Sequence, residues 1–179
     1  MLDPRKLLPH ILGFLHQVII TTEPLLELAA SKESHLKSYF IKHLEEERGH
    51  DKWLAEDLKS IGLDVNKIPY DSMAAALAGS QYYIINHVNP VGFLGYMLFL
   101  EGHPMDLNLV SELEEIYGRM ACRTLRYHAE NDIDHGSELM AIVETLSQQE
   151  RDLIEVNRQQ TLFWYSLAMK NIEVNYGTI

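Results

Sequence analysis

Apolar residues recur at intervals of three and four along nearly the whole chain, and runs of strict alternation longer than four residues are hard to find. That spacing matches the 3.6-residue turn of an α-helix and conflicts with the two-residue repeat of a half-buried strand. The chain is therefore expected to be all-α, a single bundle of seven or so helices with residues 1–179 in one domain. No internal repeat, low-complexity tract or linker divides it.

The breaks between helices carry their own chemistry. A first helix is expected from about Pro4 to Ile20, with a short further turn through Leu25 to Ala30 after the break at Thr21 to Pro24. A second starts beyond Ser31 or Ser34, either of which can cap it, and is expected to run unbroken to Gly62, a natural stop. Asp64, Asn66 and Pro69 mark a loop before a helix from about Ser72 to Val88. Asn89-Pro90 breaks the chain, and Pro90 can open the next helix because an amide in the first turn has no intrahelical partner. That helix ends at Gly102 and Pro104. A short helix near Leu107 to Tyr117 precedes a long one from about Met120 to Leu146. Ser147 and Glu150 then form a capping box that opens a last helix, to about Asn171.

A chain of 179 residues can bury a sizeable core without covalent staples. Its 15 basic residues against 26 acidic ones give a formal charge of -11, which leaves little to neutralise phosphates and argues against nucleic acid or a membrane surface as partner. Cys122 is the one cysteine, so no intrachain disulfide or cysteine-rich metal site can form, and a reducing cytoplasm fits. The first ten residues hold Asp3, Arg5, Lys6 and His10 and lack the pattern of a signal peptide. The longest apolar run, Val91 to Leu100, is ten residues long, too short to cross a bilayer. A small molecule, a metal or a protein is the expected partner, and a homodimer is compatible with the sequence.

The informative anomaly is polar. His128, Asp132 and His135 are spaced by four and three, so they share one side of a helix on a stripe continued by Leu125 and Leu139. Three polar side chains aimed at an interior are costly unless paired with a charge, a hydrogen bond or a metal. Glu47 and His50 repeat the pattern between Leu44 and Leu54. Gly49 between them would cost about 1 kcal/mol in mid-helix and so suggests close approach by a neighbour. Glu101 ends the run GFLGYMLFLEG with no basic residue near it in sequence. Oxygen and imidazole donors at helical spacing on three helices suit a carboxylate-bridged pair of iron or manganese ions.

The segments EEERGHD (45–51), GYMLFLEG (95–102) and HAENDIDH (128–135) resemble, in order and interval, the haem-oxygenase-like diiron oxidases and oxygenases, iron-containing redox enzymes with a TenA- and PqqC-like helical fold. The resemblance implies a seven-helix haem-oxygenase-like bundle holding two irons in place of haem. It further implies that Glu47, His50 and His128 hold one iron, that Asp132 and His135 hold the other, and that Glu101 bridges. Glu46 or His43 is the alternative to Glu47. Glu130 and Asp134 fall off that face, and the roles of His43, His87 and His103 are left open.

On that resemblance the chain is an iron-dependent oxidoreductase that activates dioxygen to oxidise a small fatty acid, amino acid or related carboxylate or amine. Phe14, Tyr39, Tyr83, Phe93, Tyr96 and Phe163 are the expected pocket wall. Three alternatives stand beside it. A haem site would use His10 or His16; a TenA-like hydrolase would use Cys122 as nucleophile; a metal-binding or protein-interaction bundle would have no turnover. Haem is disfavoured by the interior carboxylates, which would face its propionates.

Overall fold

A computed structural model describes residues 3–102 and 105–177, apart from the side chains of 133 and 134. The described residues form α1 (Pro4–Ile19), α2 (Thr22–Ser31), α3 (Lys37–Glu47), α4 (His50–Ser60), α5 (Ser72–His87), α6 (Leu94–Glu101), α7 (Leu107–Tyr117), α8 (Arg123–Glu144) and α9 (Gln148–Tyr176), with 3-10 turns at Val65–Lys67, Pro90–Phe93 and Arg119–Cys122. The expected cap at Ser31 or Ser34 does not form, since Ser31 ends α2 and α3 starts after Leu36 without a side-chain cap; other boundaries carry clear caps. Asp71 accepts from the amides of Met73 and Ala74 at 2.7 and 3.2 Å, Asn89 accepts from Val91, and the Ser147–Glu150 capping box opens α9.

The second helix is also not continuous. The helix from Leu36 to Gly62 is two helices, because Arg48 is extended (ψ 117°) and Gly49 has φ 88°. Only glycine takes that left-handed conformation without a Cβ penalty, and a Cβ at Gly49 would meet nothing within 4 Å. Gly49 is therefore there for its backbone angle and not for close approach. Its amide donates to Glu23 Oε1 at 2.7 Å, which ties the joint to α2.

The larger apolar cluster draws on α1, α2, α3, α5, α6, α8 and α9, with Phe40, Phe93 and Leu94 fully buried. A smaller one joins α1, α4, α7 and the start of α8 through Leu8, Leu12, Leu54, Leu58 and Leu113. The run from Pro4 to Ser31 is long and apolar enough to cross a membrane by length and composition, with mean hydropathy 1.2. In the fold its residues Leu7, Leu8, Leu12, Phe14, Leu25 and Leu26 are buried in these two clusters.

The fit between α6 and α9 is what positions Glu101. A Cβ at Gly95 would stand 2.2 Å from Ile154 O and 2.7 Å from Arg158 N, so only glycine lets the two backbones come this close. Beside that contact Asn157, fully buried, donates to Gly92 O at 2.7 Å and to Gln81 Oε1 at 2.8 Å. The pair of bonds fixes α9 against α5 and the turn that leads into α6. Glu101, the last residue of α6, is thereby held in the interior at 8% exposure.

Candidate metal centre

The six residues singled out in the sequence come from α3 (Glu47), α4 (His50), α6 (Glu101) and α8 (His128, Asp132, His135). Glu47, His50, Glu101 and Asp132 are buried, and the side chains of His128 and His135 are 25% and 23% exposed. They fall into two linked groups. His50 Nδ1 lies 3.1 Å from Glu47 Oε2, and the rings of His50 and His128 are 5.1 Å apart; His128 Nδ1 lies 3.0 Å from Asp132 Oδ1. On the other side Glu101 faces His43, whose ring is 6.3 Å from that of His135, and His135 Nδ1 returns to Asp132 at 3.9 Å.

An ionised carboxylate can only accept, so each close imidazole nitrogen is the donor. His128 therefore donates Nδ1–H to Asp132. Its Nε2 is buried and without a hydrogen-bond partner, as are Glu101 Oε2 and His135 Nδ1. Burial, the largest influence on His128, lowers its pKa, but the Asp132 hydrogen bond and the charges of Asp132, Glu47 and Glu101 outweigh it and the pKa is raised. For Glu47 burial acts upward and is outweighed by the His50 hydrogen bond and the nearby imidazoles, so its carboxyl lies below the ordinary value.

His43 is the residue the sequence left undecided. It is 3% exposed, with Nε2 at 3.0 Å from Glu101 Oε1 and Nδ1 at 3.4 Å from Glu46 Oε2. Burial lowers its pKa, yet the bond to Glu101 and the charges of Glu101, Glu47 and Glu46 prevail and raise it. Both nitrogens face carboxylates, which leaves neither free for a metal. Its signal in the sequence is its place on the Phe40–Leu44–Glu47 face; its pairing with Glu101, 58 positions later, has none. Glu46 is half-exposed and reaches Lys42 as well as His43, whereas Glu47 is buried beside His50. His87 is exposed, and His103 lies outside the described residues.

Glu47, Glu101, His128 and Asp132 line a partly open cavity of about 270 Å3 whose other walls are mainly apolar, from Leu15 and Val18 to Phe93, Met97 and Phe99. Glu101 and Asp132 also line an open groove between α6, α8 and α9. Of the six expected wall residues, Phe93 and Tyr96 line the cavity. Phe14 is core against Tyr165, Tyr39 stacks on His43, and Tyr83 and Phe163 are 63% and 59% exposed. Tyr83 and Phe163 follow the helical period but fall on the outer sides of α5 and α9. Cys122 is fully buried where the turn after α7 meets α8 and is not in the cavity wall. His10 is exposed and stacks on Tyr176.

Among the described residues no three His, Cys, Asp or Glu side chains stand ready around one point; imidazoles and carboxylates are engaged in pairs. The residues nonetheless fit iron in kind. Oxygen and imidazole donors meet in one interior, three of their atoms are orphaned, and His128 already donates its second nitrogen to a carboxylate as ligating histidines do.

The fold defines the class. A domain of unknown function with a haem-oxygenase-like fold from Shewanella denitrificans OS217 superposes with a TM-score of 0.84 over 98% of this chain and 81% of that one, at 18% identity. The model of the iron-containing redox enzymes matches residues 11–164, and the chain belongs to that family. None of the curated proteins matches it.

Proposed function

We propose that this redox enzyme is a non-haem diiron oxidase or oxygenase of the cytoplasm that uses dioxygen to oxidise a small organic substrate. The observation that carries this reading is the pair of unpartnered buried atoms His128 Nε2 and Glu101 Oε2 on residues of α8 and α6 that line a mainly apolar cavity, with a third such atom, His135 Nδ1, one turn further along α8 beside Asp132. Glu47, His50 and His128 would hold one iron, Asp132 and His135 the other, and Glu101 both. Bound iron supplies the electrons and open coordination positions that dioxygen chemistry needs. Manganese takes the same donors.

The chain's own residues do the rest. Asp132 fixes the ring of His128 through Nδ1, so that Nε2 points its lone pair away from the helix. His43 holds one oxygen of Glu101 and leaves Oε2 free. Leu15, Val18, Phe93 and Met97 give the space beside the carboxylates an apolar wall.

Metal analysis of protein expressed with iron, followed by anaerobic ferrous loading and oxygen uptake, tests the reading. Two irons per chain, and oxygen consumption raised by substrate, are expected in the wild type. Asp132→Ala should lose both while keeping its helical circular dichroism. A variant that retains iron and turnover contradicts the assignment, and a wild type without iron returns the six residues to a buried hydrogen-bond network.

A further inference from the structure

His50 and His128, whose rings are 5.1 Å apart, belong to α4 and α8, and α5, α6 and α7 lie between those helices in the chain. Contacts between α4 and α8 must therefore place the two imidazoles. Leu54 and Leu58 of α4 share the smaller apolar cluster with Ala129 of α8. Such packing is non-directional and defines the position of one helix along the other only loosely. Hydrogen bonds, which are directional, define it closely.

Those bonds converge on the start of α8. Its N-cap residue, Cys122, makes no side-chain cap. Asp57 of α4 caps the helix from outside: it is fully buried and accepts from Thr124 N at 2.8 Å, at the end of α8 where the helix dipole favours negative charge. Arg123 closes the joint. Its Nη2 donates to Trp53 O at 2.8 Å and stands 3.2 Å from Asp57 Oδ1, and its Nη1 donates to Glu56 Oε2 at 3.0 Å.

This joint is in register with the imidazoles. Asp57 lies about two turns beyond His50 on the same face of α4, and Thr124 about one turn before His128 on the same face of α8. The Asp57–Thr124 bond and the His50–His128 contact are thus successive rungs between two antiparallel helices.

We propose that Asp57 is a positioning residue of the metal centre, which sets the separation of His50 from His128 by capping α8 from α4. It touches neither imidazole and acts through Thr124. Its consequence for metal binding rests on the reading that the two histidines hold one iron; its effect on the rings rests on the metal-free fold alone.

Two measurements keep these apart. In metal-free protein, nuclear Overhauser contacts between the ring protons of His50 and His128 report their separation; in loaded protein, ferrous titration reports affinity. Asp57→Ala should weaken the ring contacts and lower ferrous affinity by about 10-fold to 100-fold, as loss of an orienting partner does. Asp57→Asn, which keeps an acceptor for Thr124 N, should restore both. Arg123→Met, at a side chain 35% exposed, removes the bonds to Trp53 and Glu56 and should shift both readouts in the direction of Asp57→Ala. Leu113→Ala, a cavity in the same apolar cluster but on α7, should lower the melting temperature and leave both readouts at wild type. The proposal is overturned if the ring contacts in Asp57→Ala and Arg123→Met match the wild type, if Asp57→Asn restores nothing, or if Leu113→Ala moves the readouts as far. Ring contacts that weaken as expected in a protein that takes up no iron would uphold the positioning role and overturn the metal reading alone.

Discussion

His43 Nε2 stands 3.0 Å from Glu101 Oε1, joining α3 to the last residue of α6, with the two side chains 4% and 10% exposed. Glu46 holds the other face of the same imidazole. The histidine thus acts as a buried donor between two carboxylates, one at the rim and one at the centre of the site.

Removing it strands Glu101. Taking one partner from a buried ion pair costs about 3–5 kcal/mol, so His43→Ala should lower the unfolding free energy of the metal-free protein by an amount of that order, read by urea denaturation. Loss of a residue that orients a ligand weakens metal binding by about 10-fold to 100-fold, and ferrous titration should show this. His43→Gln, which can still donate to Glu101, should recover part of both. Equal midpoints for wild type and alanine variant would contradict the role.

Two glycines make opposite predictions. Gly95→Ala puts a methyl group 2.2 Å from Ile154 O, backbone that cannot move aside, and should destabilise by about 3 kcal/mol or more. Gly79, inside α5, has open space around its Cβ position, and Gly79→Ala should stabilise by about 0.5–1 kcal/mol through lower backbone entropy of the unfolded chain. Thermal melting of the two variants reads both signs at once.

Asp57 sets a pH dependence remote from the metal donors. It is fully buried, and burial raises its pKa above 3.8 despite the bond from Thr124 N at 2.8 Å and the charge of Arg123. Between 3.8 and that raised value the folded protein keeps a proton that the unfolded chain has released, so this group's contribution to stability falls as pH rises through the window. Below the window both states are neutral at this site and the penalty is absent; above it the penalty is complete. Asp57→Asn removes the slope. Denaturation midpoints at a pH below 3.8 and at neutral pH should shift in favour of the variant as pH rises.

Cys122 should be inert. Burial, with smaller contributions from Glu114 and Asp57, pushes its thiol up to about 11, and it is fully enclosed. An aromatic disulfide reagent at neutral pH should leave it untouched in the native protein and titrate one thiol after denaturation. Rapid native reaction would reopen a nucleophilic role.

Much of this molecule is legible in the chain because helix caps and periodicity are local. Asp71, Asn89, Gly62 and the Ser147–Glu150 pair act within four residues of themselves, and the His128–Asp132–His135 face needs only the pitch of one helix. What the pattern hides is non-local or conformational. Leu44, Glu47, His50 and Leu54 keep helical spacing across the joint, so nothing in their period reveals that Gly49 has turned left-handed. His43 gains its meaning from Glu101 on another helix. Tyr83 and Phe163 are aromatic residues at helical spacing, and only the packing of α5 against α9 decides that they face outward.

The joint at Arg48 and Gly49 has a consequence for how this site tolerates change. Within one continuous helix, an inserted residue swings everything beyond it by about 100° and would carry His50 away from Glu47. Here the two residues belong to different helices, each anchored by its own apolar contacts, and the link between them is irregular chain tied to Glu23. Length can be added or removed at that link while α3 and α4 stay seated. The separation of Glu47 from His50 is thus an adjustable dimension of the bundle, whereas the spacing of His128, Asp132 and His135 is locked to the rise of α8.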